Sequence, residues 1–402
     1  MDCHYFDAGR CRSCRLMGVP YPAQLARKQA AALTALAGVA PGVHWADPFA
    51  SKESGYRNKA KWVVGGRRGR PTIGILDEHK EGIDLRECGI CEPALRASFP
   101  VLADFIAQTG LVPYDIGRRS GQLKYLIVTA SPDGELMVRF VVRSPGDVEQ
   151  VARRLPDLQA ALPRSVVVSV NIHPEHKAVI EGDTEIVLTA RGSLPMTLND
   201  VTMYLGPQAF FQTNSMVAAG LYRQAADWVT DIQPGSILDL YCGVGGFALH
   251  CASAGVRRIT GVEVSPTAIR NARRSAADLP DPGRFTFEVA DATGQVNLDA
   301  DLIVVNPPRR GIGTLATRLE QEGNVRHVVY SSCNVHTLAT DLAAMPSLRP
   351  RRARLFDMFP QTDHVEVAVL LEREPGRHLV AAGTGAEQRS TGSVRPALTI
   401  GP

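Results

Sequence analysis

The stretch VVYSSCNVHTLATDL, residues 328–342, carries a β-branched run into Ser331, Ser332, Cys333 and Asn334 and then into a helical pattern. A thiol at that place has two readings. One is a cysteine satisfied beneath a turn. The other is a nucleophile at the carboxyl end of a parallel strand, where open α/β sheets gather their ligands. A thiolate that adds to a ring carbon must later be expelled, so the second reading calls for a base close by. The stretch FDMFPQTDHVEV, residues 356–367, supplies Asp357, Asp363, His364 and Glu366. Glu366 is the expected base, although each of the four also fits an ordinary loop charge.

A second chemical stretch is DLYCGVGGF, residues 239–247, which follows an apolar strand and opens a helix. Gly243, Gly245 and Gly246 permit a tight turn and close backbone approach to a ligand. Their spacing is not the dinucleotide G-x-G-x-x-G. Asp239 lies at the end of that strand, Glu263 ends the next and Asp291 ends the third. A carboxylate at the second strand end can take both hydroxyls of a ribose. Three acids at successive strand ends suit S-adenosylmethionine better than NAD, because the methionine part has an ammonium and a carboxylate but no pyrophosphate. An acid-capped sheet without a ligand remains the bland alternative.

NPPRRG, residues 306–311, follows the fourth strand. Two prolines stiffen the loop, and the Asn306 amide offers a donor and an acceptor. Many methyltransferases place [DN]-P-P here to hold the target atom beside the methyl donor. Arg309 and Arg310 then stand within reach of a nucleic-acid phosphate or base. A thiol and a methyl sulfonium are needed together at carbon-5 of uracil, which is too weak a nucleophile alone. Addition of the thiolate to carbon-6 makes carbon-5 enolate-like and reactive.

Alternating strands and helices must position these groups. SILDLY, RRITGVEV, RFTFEVAD, DLIVVNPP and HVVYSSC read as strands separated by helices after about residue 205, which predicts a parallel sheet wrapped on both faces. HVEVAVLLE is expected at its edge. The preceding region has another grammar. KYLIVTASPDGELMVRFVVR is a hairpin around Pro-Asp-Gly, DVEQVARRLPDLQAAL a helix interrupted near Pro156, SVVVSVNIHP a strand, and HKAVIEGDTEIVLTAR a second hairpin around Glu-Gly-Asp. These predict an antiparallel sheet with helices. AQLARKQAAALTALAGV, residues 22–38, reads as an Ala-rich helix.

The chain has 402 residues, a net charge of only +3 and 45% hydrophobic content, so nucleic-acid affinity must come from local patches. The first residues lack the apolar core of a signal peptide, and no run is long and uncharged enough to span a bilayer. A cytoplasmic protein is expected. Its eight cysteines are then not disulfides. Cys3, Cys11, Cys14, Cys88 and Cys91 lie in the first quarter, apart from Cys242, Cys251 and Cys333.

DLYCGVGGF, VNPPRRGIG, YSSCN and DMFPQTDHVE, with FFQTN at 210–214, resemble the RNA uracil-5 methyltransferases that use S-adenosyl-L-methionine. CHYFDAGRCRSC at the start resembles the branch acting on 23S ribosomal RNA. The likeness runs from residue 1 to about 371. It implies an α/β chain with a C-terminal Rossmann-like class I methyltransferase domain over 205–372 and a cysteine-rich iron–sulfur segment with its helix over 1–44. Between them it places a central α+β domain with an antiparallel sheet over 45–204, for RNA recognition. Residues 373–402 are expected to be a disordered tail. The resemblance implies that Cys333 is the nucleophile, that Glu366 is the base, and that Gln212, Tyr241, Glu263 and Asn306 line the cofactor site with Asp239, Gly243, Gly245 and Asp291. Many relatives have Asp where this chain has Asn306, which speaks against a proton-transfer role there.

The resemblance further implies a [4Fe–4S] cluster on Cys3, Cys11, Cys14 and a distant fourth cysteine, chosen as Cys88 over Cys91 because it follows GIDLRE. Four-thiolate zinc is the physical alternative. With Cys3 so close to the first Met, the N-terminal RNA-binding barrel of other relatives is expected to be absent. The RNA grip then falls to Arg57, Lys59, Lys61 with Trp62, Arg67, Arg68, Arg70, Arg118 and Arg119, with Phe210 or Phe211 as stacking groups. The expected partner is 23S ribosomal RNA at a single-stranded or looped uridine, conventionally uridine 747, with neither DNA nor membrane. Alternatives are the same chemistry on the T-loop of transfer RNA, an iron–sulfur RNA-binding protein without catalysis, and methylation of a nitrogen, which leaves Cys333 without a task.

Overall fold

The computed structural model describes residues 1–374 apart from 178, 253, 254, 323 and 324. The tail expected from residue 373 therefore lies, beyond 374, outside the described residues. An eight-stranded sheet has the spatial order His44–Trp45, Leu348–Phe356, Glu366–Arg373, His327–Ser332, Leu302–Val305, Ser236–Leu240, Arg258–Glu263, Phe285–Val289. From His327–Ser332 to Phe285–Val289 all neighbours are parallel. The chain winds outward from Ser236–Leu240 in both directions. The ends of Ser236–Leu240 and Leu302–Val305 therefore flank the point where strand order reverses, the usual ligand crevice of such sheets.

Both faces of this sheet are covered, which explains why its strands are continuously apolar. Ile237, Ile259, Leu302 and Val304 pack under helices Ser215–Ile232, Gly246–Cys251 and Pro266–Ala277. Leu238, Leu240, Ile303 and Val305 pack under Tyr21–Leu36, Thr314–Gln321 and Val335–Ala343. The Ala-rich helix thus joins the C-terminal sheet, carrying Ala32 and Leu36 into its core.

Two expectations about this sheet are corrected. HVEVAVLLE is not an edge strand: Glu366–Arg373 runs antiparallel between His327–Ser332 and Leu348–Phe356. Its buried apolar run from Val367 to Leu371 needs neighbours on both sides. Leu348–Phe356 itself was not anticipated, because LRPRRARLF alternates arginines with the apolar residues that seat it.

The second sheet has seven strands, in the order Gly82–Asp84, Arg70–Leu76, Lys59–Arg67, Leu123–Ala130, Leu136–Val142, Ser165–Ile172, Thr184–Val187. It is antiparallel except where Leu136–Val142 runs parallel to Ser165–Ile172. The interrupted helix, Val148–Arg153 and Leu155–Ala161, makes that crossover. Glu181-Gly182-Asp183 returns the chain to pair Thr184–Val187 with Ser165–Ile172, rather than with a new strand before it. One face packs on Pro93–Thr109. The hairpin Leu194–Leu198/Val201–Leu205 turns through Asn199 and Asp200, both left-handed, and leads into the other sheet.

Candidate active site

Strand Ser236–Leu240 delivers Asp239 to the crevice, and the chain then makes its glycine turn. Tyr241 (φ +63°), Gly243 (+56°) and Gly245 (+88°) are all left-handed. A Cβ at Gly246 would stand 2.5 Å from the Tyr222 hydroxyl, so only glycine lets the helix start there. Asp239 is fully buried: Oδ2 accepts the Ala248 N–H at 3.0 Å, while Oδ1 has no partner among the described residues. Burial pushes its carboxyl up to about 7, against that hydrogen bond and with help from Glu263. Glu263 accepts the N–H groups of Gly243 (3.3 Å) and Ser265 (3.0 Å), which ties the turn to the second strand end. Asp291 is exposed, and Thr293 holds its carboxyl below the ordinary range through an N–H at 2.9 Å and a hydroxyl at 2.8 Å. Asn306 is half-buried directly after Leu302–Val305. Gln212 is buried, and its backbone carbonyl accepts the Asn58 amide at 3.0 Å, bridging the two sheets' territories.

Cys333 follows strand His327–Ser332 and is half-buried. Asn334 caps the next helix by accepting the His336 N–H at 3.1 Å. Its amide and the Thr337 hydroxyl both donate to the Arg309 carbonyl at 3.2 Å, binding the thiol's turn to the NPPRRG loop. Buried Asp341 holds that loop's far end by accepting the Ile312 N–H (2.9 Å) and the Tyr330 hydroxyl (2.6 Å). Cys333 opens on a cavity of about 260 Å³ shared with Lys28, Arg309, Asn334 and His364. Burial, then the charge of Glu366, push the thiol up; the Arg309 guanidinium, hydrogen-bonded to it, pulls it down. Arg309 also donates to His364 Nδ1 at 3.3 Å.

The four candidate bases separate cleanly. Glu366 opens the interior strand, is 2% exposed and accepts the Ser331 hydroxyl; burial raises its carboxyl to about 7. Asp357 is buried against Lys28 (2.6 Å) and the Tyr21 hydroxyl (2.9 Å), a structural pairing. Asp363 and His364 are exposed, Asp363 near Arg27 at 3.3 Å. Ser331 and Asp341 were missed from sequence. A lone hydroxyl or acid far along the chain gives no local signal of its partner.

Cys3, Cys11, Cys14 and Cys88 line one cavity of about 170 Å³, together with Arg57 and Trp62. Burial first, then the crowd of Cys88, Cys11 and Cys3, pushes the Cys14 thiol up to about 12. Cys91 is wholly buried and stands apart from that lining. It donates its hydrogen bond to Cys88, lowering Cys88 to about 7 while its own thiol is driven far up. Among the described residues, no three His, Cys, Asp or Glu side chains converge closely enough to hold one ion.

The expected RNA contacts need correcting in part. Lys59 is 7% exposed and Trp62 9%, the latter edge-on against Phe99 in the helix-side core. Burial lowers the Lys59 ammonium to about 8. Basic and aromatic residues read alike whether they face water or not; Trp62 turns to the helix side of the sheet and Lys59 to the opposite face, and both are buried. Phe211 is core, whereas Phe210 is 69% exposed. Lys61 pairs with Glu181 at 2.8 Å, and Arg57 is half-buried by the cysteines. Arg67, Arg68, Arg70, Arg118, Arg119, Arg309 and Arg310 are exposed.

A tRNA (Uracil-5-)-methyltransferase profile matches residues 292–374, and a methyltransferase domain profile matches 237–307. A Cronobacter sakazakii protein named 23S rRNA (uracil(747)-C(5))-methyltransferase RlmC is 45% identical over 93% of this chain and 100% of its own. The Yersinia pestis protein of that name is 44% identical over 92% and 99%. Among solved structures, the Pyrococcus abyssi tRNA (uracil-54, C5)-methyltransferase in complex with S-adenosyl-L-homocysteine superposes with a TM-score of 0.74 at 28% identity, covering 89% of this chain and 85% of that one.

Proposed function

Because the chain belongs to the RNA uracil-5 methyltransferase family, we propose that it methylates carbon-5 of a uridine in 23S ribosomal RNA, the position its bacterial relatives are named for, uridine 747. The class I α/β fold carries this chemistry. The observation that supports the site is a half-buried thiol, Cys333, beside a buried carboxyl, Glu366, at the end of the mixed sheet where its parallel strands finish.

S-adenosyl-L-methionine, consumed in each turnover, supplies an electrophilic methyl group. Its holders are Asp239, Tyr241, Gly243, Gly245, Glu263, Asp291, Asn306 and Gln212. Asp239 Oδ1, buried without a partner, and the left-handed turn that opens backbone to the crevice fit such a ligand. Cys333, as thiolate steadied by Arg309, bonds to carbon-6 of the flipped uracil. The ring's electron pair moves to carbon-5, which takes the methyl group. Glu366 then removes the carbon-5 proton; the pair left behind restores the ring double bond and expels the thiolate. One proton and S-adenosyl-L-homocysteine leave with the methylated RNA.

Cys3, Cys11, Cys14 and Cys88 are proposed as ligands of a [4Fe–4S] cluster. Four thiols around one cavity support a four-thiolate metal group there, and the family resemblance points to an iron–sulfur cluster as that group. Its thiolate bonds would fasten the first residues to the loop after Gly82–Asp84. Residues 45–204 are proposed as the RNA-recognition domain. Among the described residues no helix is long and apolar enough to cross a membrane, and a cytoplasmic site of action is proposed with the ribosomal substrate.

The test is methyl transfer to a 23S loop carrying uridine 747 and to a transfer-RNA T-arm. Methylation of the 23S loop is expected. Methylation of the T-arm alone reassigns the substrate, and methylation of neither overturns the proposal.

A further inference from the structure

The face of the seven-stranded sheet turned away from helix Pro93–Thr109 carries a further cavity, of about 270 Å³, that shares no lining residue with the Cys333 cavity. Tyr114, Lys124, Tyr125, Glu175, His176 and Lys177 line it with Val63 and Ile116. The Lys124 ammonium lies 4.9 Å from the Tyr114 ring centre, and the Arg143 guanidinium 5.9 Å. The Tyr114 hydroxyl is hydrogen-bonded to His176 Nδ1 at 3.0 Å. Lys124 is 5% exposed; it donates to the Glu175 backbone carbonyl at 2.5 Å, and the Glu175 carboxylate, itself held by Lys177, is the acid whose charge reaches it. The two acids nearby, Glu175 and Asp115, already face Lys177 (2.5 Å) and Arg118 (3.8 Å). Exposed Arg118 and Arg119 stand beside the mouth, and Arg143 donates to the Arg119 carbonyl at 3.2 Å.

Around the cavity the cations Lys124, Lys177, Arg118, Arg119 and Arg143 outnumber the acids Glu175 and Asp115, so an anion is favoured there. Planar rings beside it suit a planar ligand, since stacking on aromatics is how single-stranded RNA is gripped. The strand from Val63 back to Asn58, whose amide holds the Gln212 carbonyl of the crevice, spans five residue steps, roughly 17 Å, the length of a few nucleotides of extended RNA. Lys59, Ile127 and Thr129 on the sheet face between them are buried, so RNA joining the two places would pass over the outside of the protein.

We propose that this cavity binds one unstacked base of the RNA strand that leaves the active site, its ring against Tyr114 and His176 and its phosphate against Lys124 and Arg143. The inference rests on the RNA-methyltransferase reading and deepens it: Tyr114 is a specificity residue outside the reacting centre.

The experiment measures binding, independently of methylation, with two intact RNAs and an abasic one. One ends a nucleotide to either side of the target uridine, and the other extends four further on each side. A third carries abasic sites in place of the bases two to four nucleotides from the target. The parent protein should bind the extended RNA about tenfold more tightly than its abasic counterpart. Tyr114→Ala should bind both alike, with the short RNA unaffected and the rate at saturating RNA unchanged. Tyr114→Phe, which keeps the ring, should retain most of the preference. Loss of affinity equal for intact and abasic RNA in Tyr114→Ala, or an abasic RNA bound as tightly as the intact one by the parent, overturns the base pocket. In the latter case the cations serve phosphates or an acidic protein instead. If the parent binds the extended RNA without methylating it, the proposed function fails while the abasic comparison still decides the pocket.

Discussion

Cys333 stands alone in its cavity, with a guanidinium against it and a buried carboxyl behind it, whereas Cys3, Cys11, Cys14 and Cys88 face one another. Burial raises Cys333 and Cys14 alike, but their other neighbours differ. At Cys333 the opposing charges of Arg309 and Glu366 suit the sulfur to the proposed making and breaking of a carbon bond. At the N-terminal cavity Cys88, Cys11 and Cys3 add to the rise at Cys14, a load that a shared cationic group would relieve. Surroundings, more than residue type, separate the proposed nucleophile from the proposed ligands.

The largest effect expected is from Cys333→Ala, which removes the only bond to carbon-6. Methylation should fall on the order of 10⁴-fold or more, with S-adenosyl-L-methionine affinity retained by calorimetry. Next is Glu366→Gln, which should slow turnover about 10²- to 10⁴-fold and accumulate a protein–RNA adduct visible on denaturing gels. The same variant carries a stability signature. The Glu366 carboxyl sits at about 7 when folded against 4.5 as the reference, so the unfolded chain releases its proton first and stability falls as pH rises between those values. Removing that loss should make Glu366→Gln more stable than the parent above pH 7, by roughly 3 kcal/mol at most, from about 1.4 kcal/mol per pKa unit. Denaturant melts at pH 5 and pH 8 measure it.

At the other cavity, Cys88→Ser should lose most of the iron from anaerobically purified protein, and Cys91→Ser should keep it. Metal analysis showing equal loss, or stoichiometric zinc in the parent, breaks the contrast between the two regions. The smallest effect is at Ser331. Its hydroxyl steadies the ionised form of Glu366, so Ser331→Ala should move the rise of rate with pH, expected near 7 in the parent, to the alkaline side. An unmoved profile would make Ser331 a packing residue only.

The parallel sheet, with candidate groups gathered at its strand ends, was legible because apolar strands, each closed by Asp239, Glu263, Asn306 or Cys333, recur at βα spacing. The Pro-Asp-Gly hairpin was legible from turn chemistry. Leu348–Phe356 was not, since its arginines mask the alternation, and Glu366–Arg373 showed its strand nature but not its interior position. Lys59 and Trp62 misled because their chemistry suits RNA while packing buries each on its own face of the sheet. Lys28 with Asp357 and Ser331 with Glu366 lie far apart along the chain, and only the folded arrangement pairs them.

The most direct measurement uses a 23S loop with 5-fluorouridine at the target. Fluorine leaves carbon-5 without a proton for Glu366 to take, so the sulfur bond to carbon-6 should persist after methyl transfer. Peptide mass spectrometry should then find a methylated fluorouridine on the peptide containing Cys333, and none with Cys333→Ala. Free methylated product from the natural loop with no adduct from the fluorinated one, or an adduct on another residue, would contradict covalent catalysis by Cys333.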